Sequence, residues 1–179
     1  MTRQRRALVP ASLLAALALG ACEDRAPVEK ACDAGDAAAC LELGDMLVKG
    51  RGGPMDKKGA DAVLSRACDA GDAAACALGG DVAYARDDEG SRRMLLAACR
   101  RGHGSSCVDA AWMLWHGEGG AADEAEADAL LERACKKGVA DGCFFLALRR
   151  EARGERGAAG LFGKACALGD GIACDRRAP

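Results

Sequence analysis

A nine-residue unit, C-x-x-G-x-x-x-x-C, occurs five times in this 179-residue chain. The copies run Cys32–Cys40, Cys68–Cys76, Cys99–Cys107, Cys135–Cys143 and Cys166–Cys174, and the first two lie in the same ten-letter string, ACDAGDAAAC. Their leading cysteines are 36, 31, 36 and 31 residues apart. A period in this range marks a chain built of stacked supersecondary units, none of which can bury its apolar face alone.

The spacing inside the unit restricts its shape. Residues eight apart in an unbroken helix lie about 12 Å apart along the axis, whereas a disulfide needs Cα atoms within about 7 Å. If each pair is bonded, the helix must stop inside the unit. The glycine three places after each leading cysteine marks the stop: Gly35, Gly71, Gly102, Gly138 and Gly169. Glycine is the favoured left-handed residue just past a helix end. Arg100, Arg101, Lys136 and Lys137 precede two of these glycines, where cations suit a helix C-terminus. Asp36, Asp72 and Asp170 follow three of them, as helix N-caps. Each unit therefore reads as a helix–turn–helix corner stapled by its own cysteines.

The staples matter because the core is thin. Half of the chain is hydrophobic on a broad count but only 3% is aromatic, and alanine, which buries little area, makes up much of the rest. Burial alone would stabilise a domain of this size modestly. A ring of this size contributes about 2–3 kcal/mol in the chain-entropy model.

The N-terminus sets the compartment. Arg3, Arg5 and Arg6 precede an apolar stretch, Ala7–Leu19, which is too short to span a bilayer and suits an export signal. It ends in Leu19-Gly20-Ala21-Cys22, which resembles a bacterial lipobox. That resemblance implies a signal peptide over 1–21, cleavage before Cys22, a lipid on Cys22, and a tether over 22–30. Removing Cys22 from the eleven cysteines leaves the ten of the five pairs. An even number at regular spacing in an exported chain reads as a disulfide framework. Zinc is the competing reading, but its sites bring cysteines two to four residues apart, and no such pair occurs. No metal or other cofactor is expected. Loss of Arg3, Arg5 and Arg6 moves the formal charge from −2 to about −5, which argues against nucleic acid as a partner.

Between staples lie two helices and a loop. Both 36-residue repeats carry G-x-G-G there, Gly50–Gly53 and Gly117–Gly120, followed by Asp56 or Asp123 as the cap of the second helix. The 31-residue repeats have lost most of this loop, and their helices should meet around Asp87–Gly90 and Arg153–Gly157.

The pattern Cys40-x-x-Leu43-Gly44-x-x-Leu47-x-x-Gly50-x-Gly52 resembles the Sel-one-like repeat, a relative of the tetratricopeptide repeat. So does Cys107-x-x-Ala110-Ala111-x-x-Leu114-x-x-Gly117-x-Gly119. Cysteines separated by seven residues are similar to those of the Helicobacter cysteine-rich proteins. The resemblance implies an all-α fold over 31–177: a curved α/α solenoid of about four repeats with half-repeat ends. Its disulfides would join the second helix of one repeat to the first helix of the next. It also brings the label of penicillin-binding protein or β-lactamase. The sequence has no S-x-x-K, H-E-x-x-H or H-x-H-x-D with which to build that chemistry, and His103 and His116 read as solvated turn residues.

On each first helix, positions such as Cys40, Leu43, Gly44 and Leu47 form a packing face. The neighbouring stripe carries Leu41, Asp45 and Val48; Ala77, Asp81 and Tyr84; Val108, Trp112 and Trp115; and Phe144, Leu148 and Glu151. In repeats of this kind the first helices line the concave surface, so four of the six aromatic residues fall there: Tyr84, Trp112, Trp115 and Phe144. Two readings of the tryptophans stand at this point. They form an accessible patch, as binding hot spots do, or they fill the wedge between repeats. The functional expectation is a lipid-anchored module facing the periplasm or cell surface that binds a protein or peptide of the envelope. Glu23, in place of the usual aspartate retention signal, points to the outer membrane.

Overall fold

The computed structural model describes residues 24–84 and 88–176. Cys22, the expected signal segment and Arg177 lie outside the described residues. Within them the chain is helical: α1 (Ala26–Asp33), α2 (Ala37–Lys49), α3 (Lys57–Asp69), α4 (Ala73–Ala83), α5 (Asp88–Arg100), α6 (Gly104–His116), α7 (Glu124–Lys136), α8 (Ala140–Ala152), α9 (Ala158–Ala167) and α10 (Gly171–Arg176). Each helix packs on the next, and α2 with α4 and α6 with α8 also touch across repeat boundaries. This is the contact pattern of an α/α solenoid. No helix among the described residues is long and apolar enough to cross a membrane.

The corners follow from local chemistry. The five unit glycines adopt φ between 83° and 105°, a region in which a side chain would be strained. Asp36, Asp72 and Asp170 each accept a backbone N–H at 2.8–3.2 Å from the helix that follows. Asp56 and Asp123 do the same for α3 and α7. At the remaining two corners His103 and Val139 hold the cap position without a side-chain cap. The five disulfides are Cys32–Cys40, Cys68–Cys76, Cys99–Cys107, Cys135–Cys143 and Cys166–Cys174, with Cα atoms 4.5–4.7 Å apart. They join α1 to α2, α3 to α4, α5 to α6, α7 to α8 and α9 to α10.

The cystines double as core. The eight cysteines from Cys32 to Cys143 are buried, among alanines such as Ala60, Ala98, Ala110 and Ala134 and the larger Leu64, Met113 and Leu114. Small residues let the helix backbones approach, and the few large side chains fill what remains. Gly80 shows the constraint: a Cβ there would lie 2.6 Å from Cγ of Leu95. The buried Ser91 hydroxyl donates to the Gly80 carbonyl at 2.8 Å, which draws the first turn of α5 against α4. That contact explains one departure from the expected boundaries. The α4–α5 junction was expected at Asp87–Gly90, yet Asp88–Gly90 are already helical.

The fold also takes in residues expected in the tether. Helix α1 begins at Ala26, and the Arg25 guanidinium donates to the carbonyls of Arg51 (2.6 Å) and Pro54 (2.9 Å) in the α2–α3 loop. Arg92 repeats the arrangement on the α6–α7 loop, donating to the Ala121 carbonyl at 2.9 Å. Both arginines stand seven residues before a unit cysteine, Cys32 or Cys99. Each clamps one glycine-rich loop by satisfying carbonyls that would otherwise face only water. Arg92→Ala should lower stability by about 1–3 kcal/mol. A melting temperature unchanged in thermal unfolding would show the clamp to be incidental.

Candidate functional site

The first helices α2, α4, α6 and α8 present side chains at fixed offsets from their cysteines. Cys40, Leu43, Gly44 and Leu47 of α2 are buried, as are Cys107, Ala110, Ala111 and Leu114 of α6. Of the residues one place after each cysteine, Leu41, Val108 and Phe144 are half-buried and pack on the core, and Ala77 is buried in it. On α4 and α6 the expected stripe is closed at its first position and open at its second and third, Asp81, Tyr84, Trp112 and Trp115, so the open arc overlaps it without coinciding. On α6 it carries Asp109, Trp112, Trp115 and His116, all exposed.

The four expected aromatic residues do not share one surface. Tyr84 and Trp112, 43% and 44% exposed, meet across a cleft of about 370 Å³ between α4 and α6. Its remaining lining is Asp81, Asp109, Met113 and Leu95, the last contributed by α5. Trp115 lies edge-on to Trp112 at 6.1 Å. Its ring is also covered by the Arg149 guanidinium at 4.4 Å, so it belongs to both the open face and the wedge between repeats. Phe144 turns away and packs on Phe162 at 5.8 Å, in the core of the last repeat. The aromatic ring of α8 that reaches the tryptophans is Phe145, 6.5 Å from Trp112. His116, one helical turn after Trp112, lies 4.2 Å from it and stacks on Trp115.

The electrostatics of the cleft differ from those of the equivalent place one repeat earlier. Asp45 is bound by Lys49 Nζ at 2.7 Å and Arg51 at 2.8 Å, and the hydrogen bond from Lys49 is the main influence holding its carboxyl below the usual carboxylate range. At the corresponding places after Asp81 the sequence has Ala85 and Asp87. Asp81 makes no ion pair among the described residues, and burial pushes its carboxyl up, with His103 opposing. Asp109 is raised by burial and then by Asp81 and Asp141, with His103 again opposing. Both carboxylates reach solvent but sit in a concavity ringed by protein, which removes part of their hydration. Tyr84 Oη donates to Glu118 Oε2 at 2.9 Å, which brings a third carboxylate to the rim.

The sequence reading missed Asp109, Phe145, His116 and Arg149. The first three lie two or nine places after a unit cysteine, each one residue beyond the first or third position of the expected stripe. Arg149 had no local signal, because its partners Asp128 and Glu124 lie on the preceding helix. His103 Nδ1 lies 2.9 Å from Ser106 Oγ. Ser106 is 1% exposed, so its hydroxyl cannot meet a substrate. No cluster of metal-ligating side chains occurs among the described residues. A cleft of similar size between α3 and α5 is lined by Arg93, Arg100 and Arg101 and holds no aromatic ring.

No protein-family model and no curated protein matches the chain. Solved structures do. A protective antigen of uropathogenic Escherichia coli with an SLR fold superposes with a TM-score of 0.76 at 21% identity, over 86% of this chain and 35% of that one. A Sel-one repeat protein from Oxalobacter formigenes gives 0.69 at 21% identity, over 83% and 65%. Cysteine-rich protein B of Helicobacter pylori gives 0.56 at 25% identity, over 68% of this chain and 95% of that one. The chain thus spans about a third of the length of the first and just under two thirds of the second. With its helix pairs, stapled corners and glycine-rich loops, this protein has the Sel-one-like repeat fold.

Proposed function

We propose that the chain is a repeat scaffold of the bacterial cell envelope, anchored by a lipid on Cys22, that holds a protein or peptide on its first-helix face. The observation that carries the binding reading is the pairing of Tyr84 and Trp112, large rings left open to solvent on facing sides of one cleft. Amphipathic rings of this kind contribute much of the energy at protein interfaces. Five disulfides suit an oxidising compartment outside the cytoplasm. The β-lactam alternative is not favoured: the serine–histidine contact among the described residues is closed to substrate.

A photo-cross-linking residue in place of Tyr84 should trap a defined partner in intact envelopes. The same residue in place of Arg93, exposed on α5, should not. Equal yields from the two positions would remove the face-specific reading. The anchor is tested separately. Cells given labelled palmitate should label the wild type but not Cys22→Ser, and equal labelling would refute the lipid.

A further inference from the structure

The α4–α6 cleft combines aromatic and acidic side chains. Two aromatic rings, Tyr84 and Trp112, flank it, and two carboxylates, Asp81 and Asp109, line it with Leu95 and Met113. Neither carboxylate has a basic partner within ion-pair distance among the described residues, whereas Asp45, at the position equivalent to Asp81, has two. Glu118, held by the Tyr84 hydroxyl, adds negative charge at the rim.

We infer that this cleft seats a lysine or arginine side chain of the partner polypeptide, its alkyl stem along Tyr84 and Trp112 and its charge toward Asp81 and Asp109. The inference rests on the reading of the first-helix face as a peptide-binding surface and names what one subsite selects. Charge complementarity carries it. An aromatic face attracts a cation through its quadrupole, more strongly when the cation is partly desolvated. The carboxylates supply the charge that Lys49 and Arg51 neutralise one repeat earlier. In the free protein these carboxylates carry a cost: burial raises both carboxyls, and neighbouring carboxylates raise that of Asp109 further, so the ionised forms present at neutral pH disfavour the fold. A bound cation relieves that cost. Residues kept for stability would show the opposite sign.

Sign and selectivity are both testable. In the mature protein the Nε1–H signals of Trp112 and Trp115, assigned with Trp115→Phe, report the cleft and the wedge separately. Titration with Nα-acetyl-lysine amide or Nα-acetyl-arginine amide, at matched ionic strength, should shift the Trp112 signal saturably in the millimolar range. Nα-acetyl-norleucine amide should not. The double variant Asp81→Asn, Asp109→Asn should bind the cationic probes roughly fivefold or more weakly, with a melting temperature equal to or above that of the wild type. An equal response to norleucine amide, or undiminished binding by the double variant, would overturn the assignment, and the norleucine comparison needs no variant. Capture of the cross-linked partner separates the two claims. If the double variant captures it normally while Trp112→Ala does not, the cationic subsite falls and the binding face stands. If neither change matters, the binding face falls as well.

Discussion

Mild reduction of the folded protein should open Cys166–Cys174 first and leave the other four disulfides closed until the chain unfolds. The order follows from burial. Cys174 is exposed and Cys166 half-buried, whereas Cys32, Cys40, Cys68, Cys76, Cys99, Cys107, Cys135 and Cys143 are each 0–4% exposed. A reductant must reach a sulfur before exchange can occur. Alkylation and mass mapping at intervals should show the last pair modified alone, then the remainder together. The energetic consequence is large. Each ring contributes about 2–3 kcal/mol in the chain-entropy model, so five contribute on the order of 10 kcal/mol as an upper estimate, comparable with the whole stability of a typical domain. Replacing both Cys99 and Cys107 with alanine should lower the melting temperature by about 10 °C, the cavity at the junction of α5 and α6 adding to the lost ring. Alkylation of all pairs at one rate would show that the buried junctions open locally.

Arg149→Met should destabilise the protein by about 3–5 kcal/mol, the effect expected when one partner of a buried ion pair is removed. The Arg149 side chain is 3% exposed. Its Nε donates to Asp128 Oδ1, and its Nη2 pairs with Glu124 Oε2 at 3.2 Å. Its plane covers Trp115. Asp128 also accepts from Arg153 at 2.6 Å. Burial alone would raise the Asp128 carboxyl; the hydrogen bonds from Arg149 and Arg153 outweigh it and hold the group below the usual carboxylate range. Because its folded pKa is depressed, the stabilisation is present above the ordinary aspartate value and is lost as pH falls through the folded one. The cluster ties α7 to α8 and braces the inner side of the tryptophan pair. Arg149→Lys should not restore stability, since an ammonium cannot reproduce the fork or the stack. Chemical denaturation midpoints decide the matter. A loss below about 1 kcal/mol would mean that water replaces the pair at little cost.

The parts of the fold that depend on short spans of chain were legible in the sequence. The corner at Cys68–Cys76 needed only its two cysteines, Gly71 and the Asp72 cap, and all four play their expected parts in the structure. The same holds for Asp123 at the start of α7. Which arc of a first helix stays open is different, because it depends on how far each repeat rotates relative to the next. The expected stripe was one residue out on α8, where Phe145 rather than Phe144 reaches Trp112. Arg25, Arg92 and Arg149 act on groups 21–29 residues away, a range at which neither periodicity nor capping rules apply. The carboxylates of the α4–α6 cleft were partly legible. Asp81 fell on the expected stripe, but that it makes no ion pair among the described residues emerges only beside the paired Asp45.

If the open rings of Tyr84 and Trp112 form a binding face, Trp112→Ala should lose affinity for the partner trapped at position 84. Truncating a central aromatic anchor costs about 2 kcal/mol or more, roughly thirtyfold in Kd. A titration with purified partner should show that loss, with a helical signal unchanged and a melting temperature within about 3 °C of the wild type. A sharp fall in melting temperature, with unchanged affinity for the partner in the fraction still folded, would assign Trp112 to packing between repeats and remove the binding face.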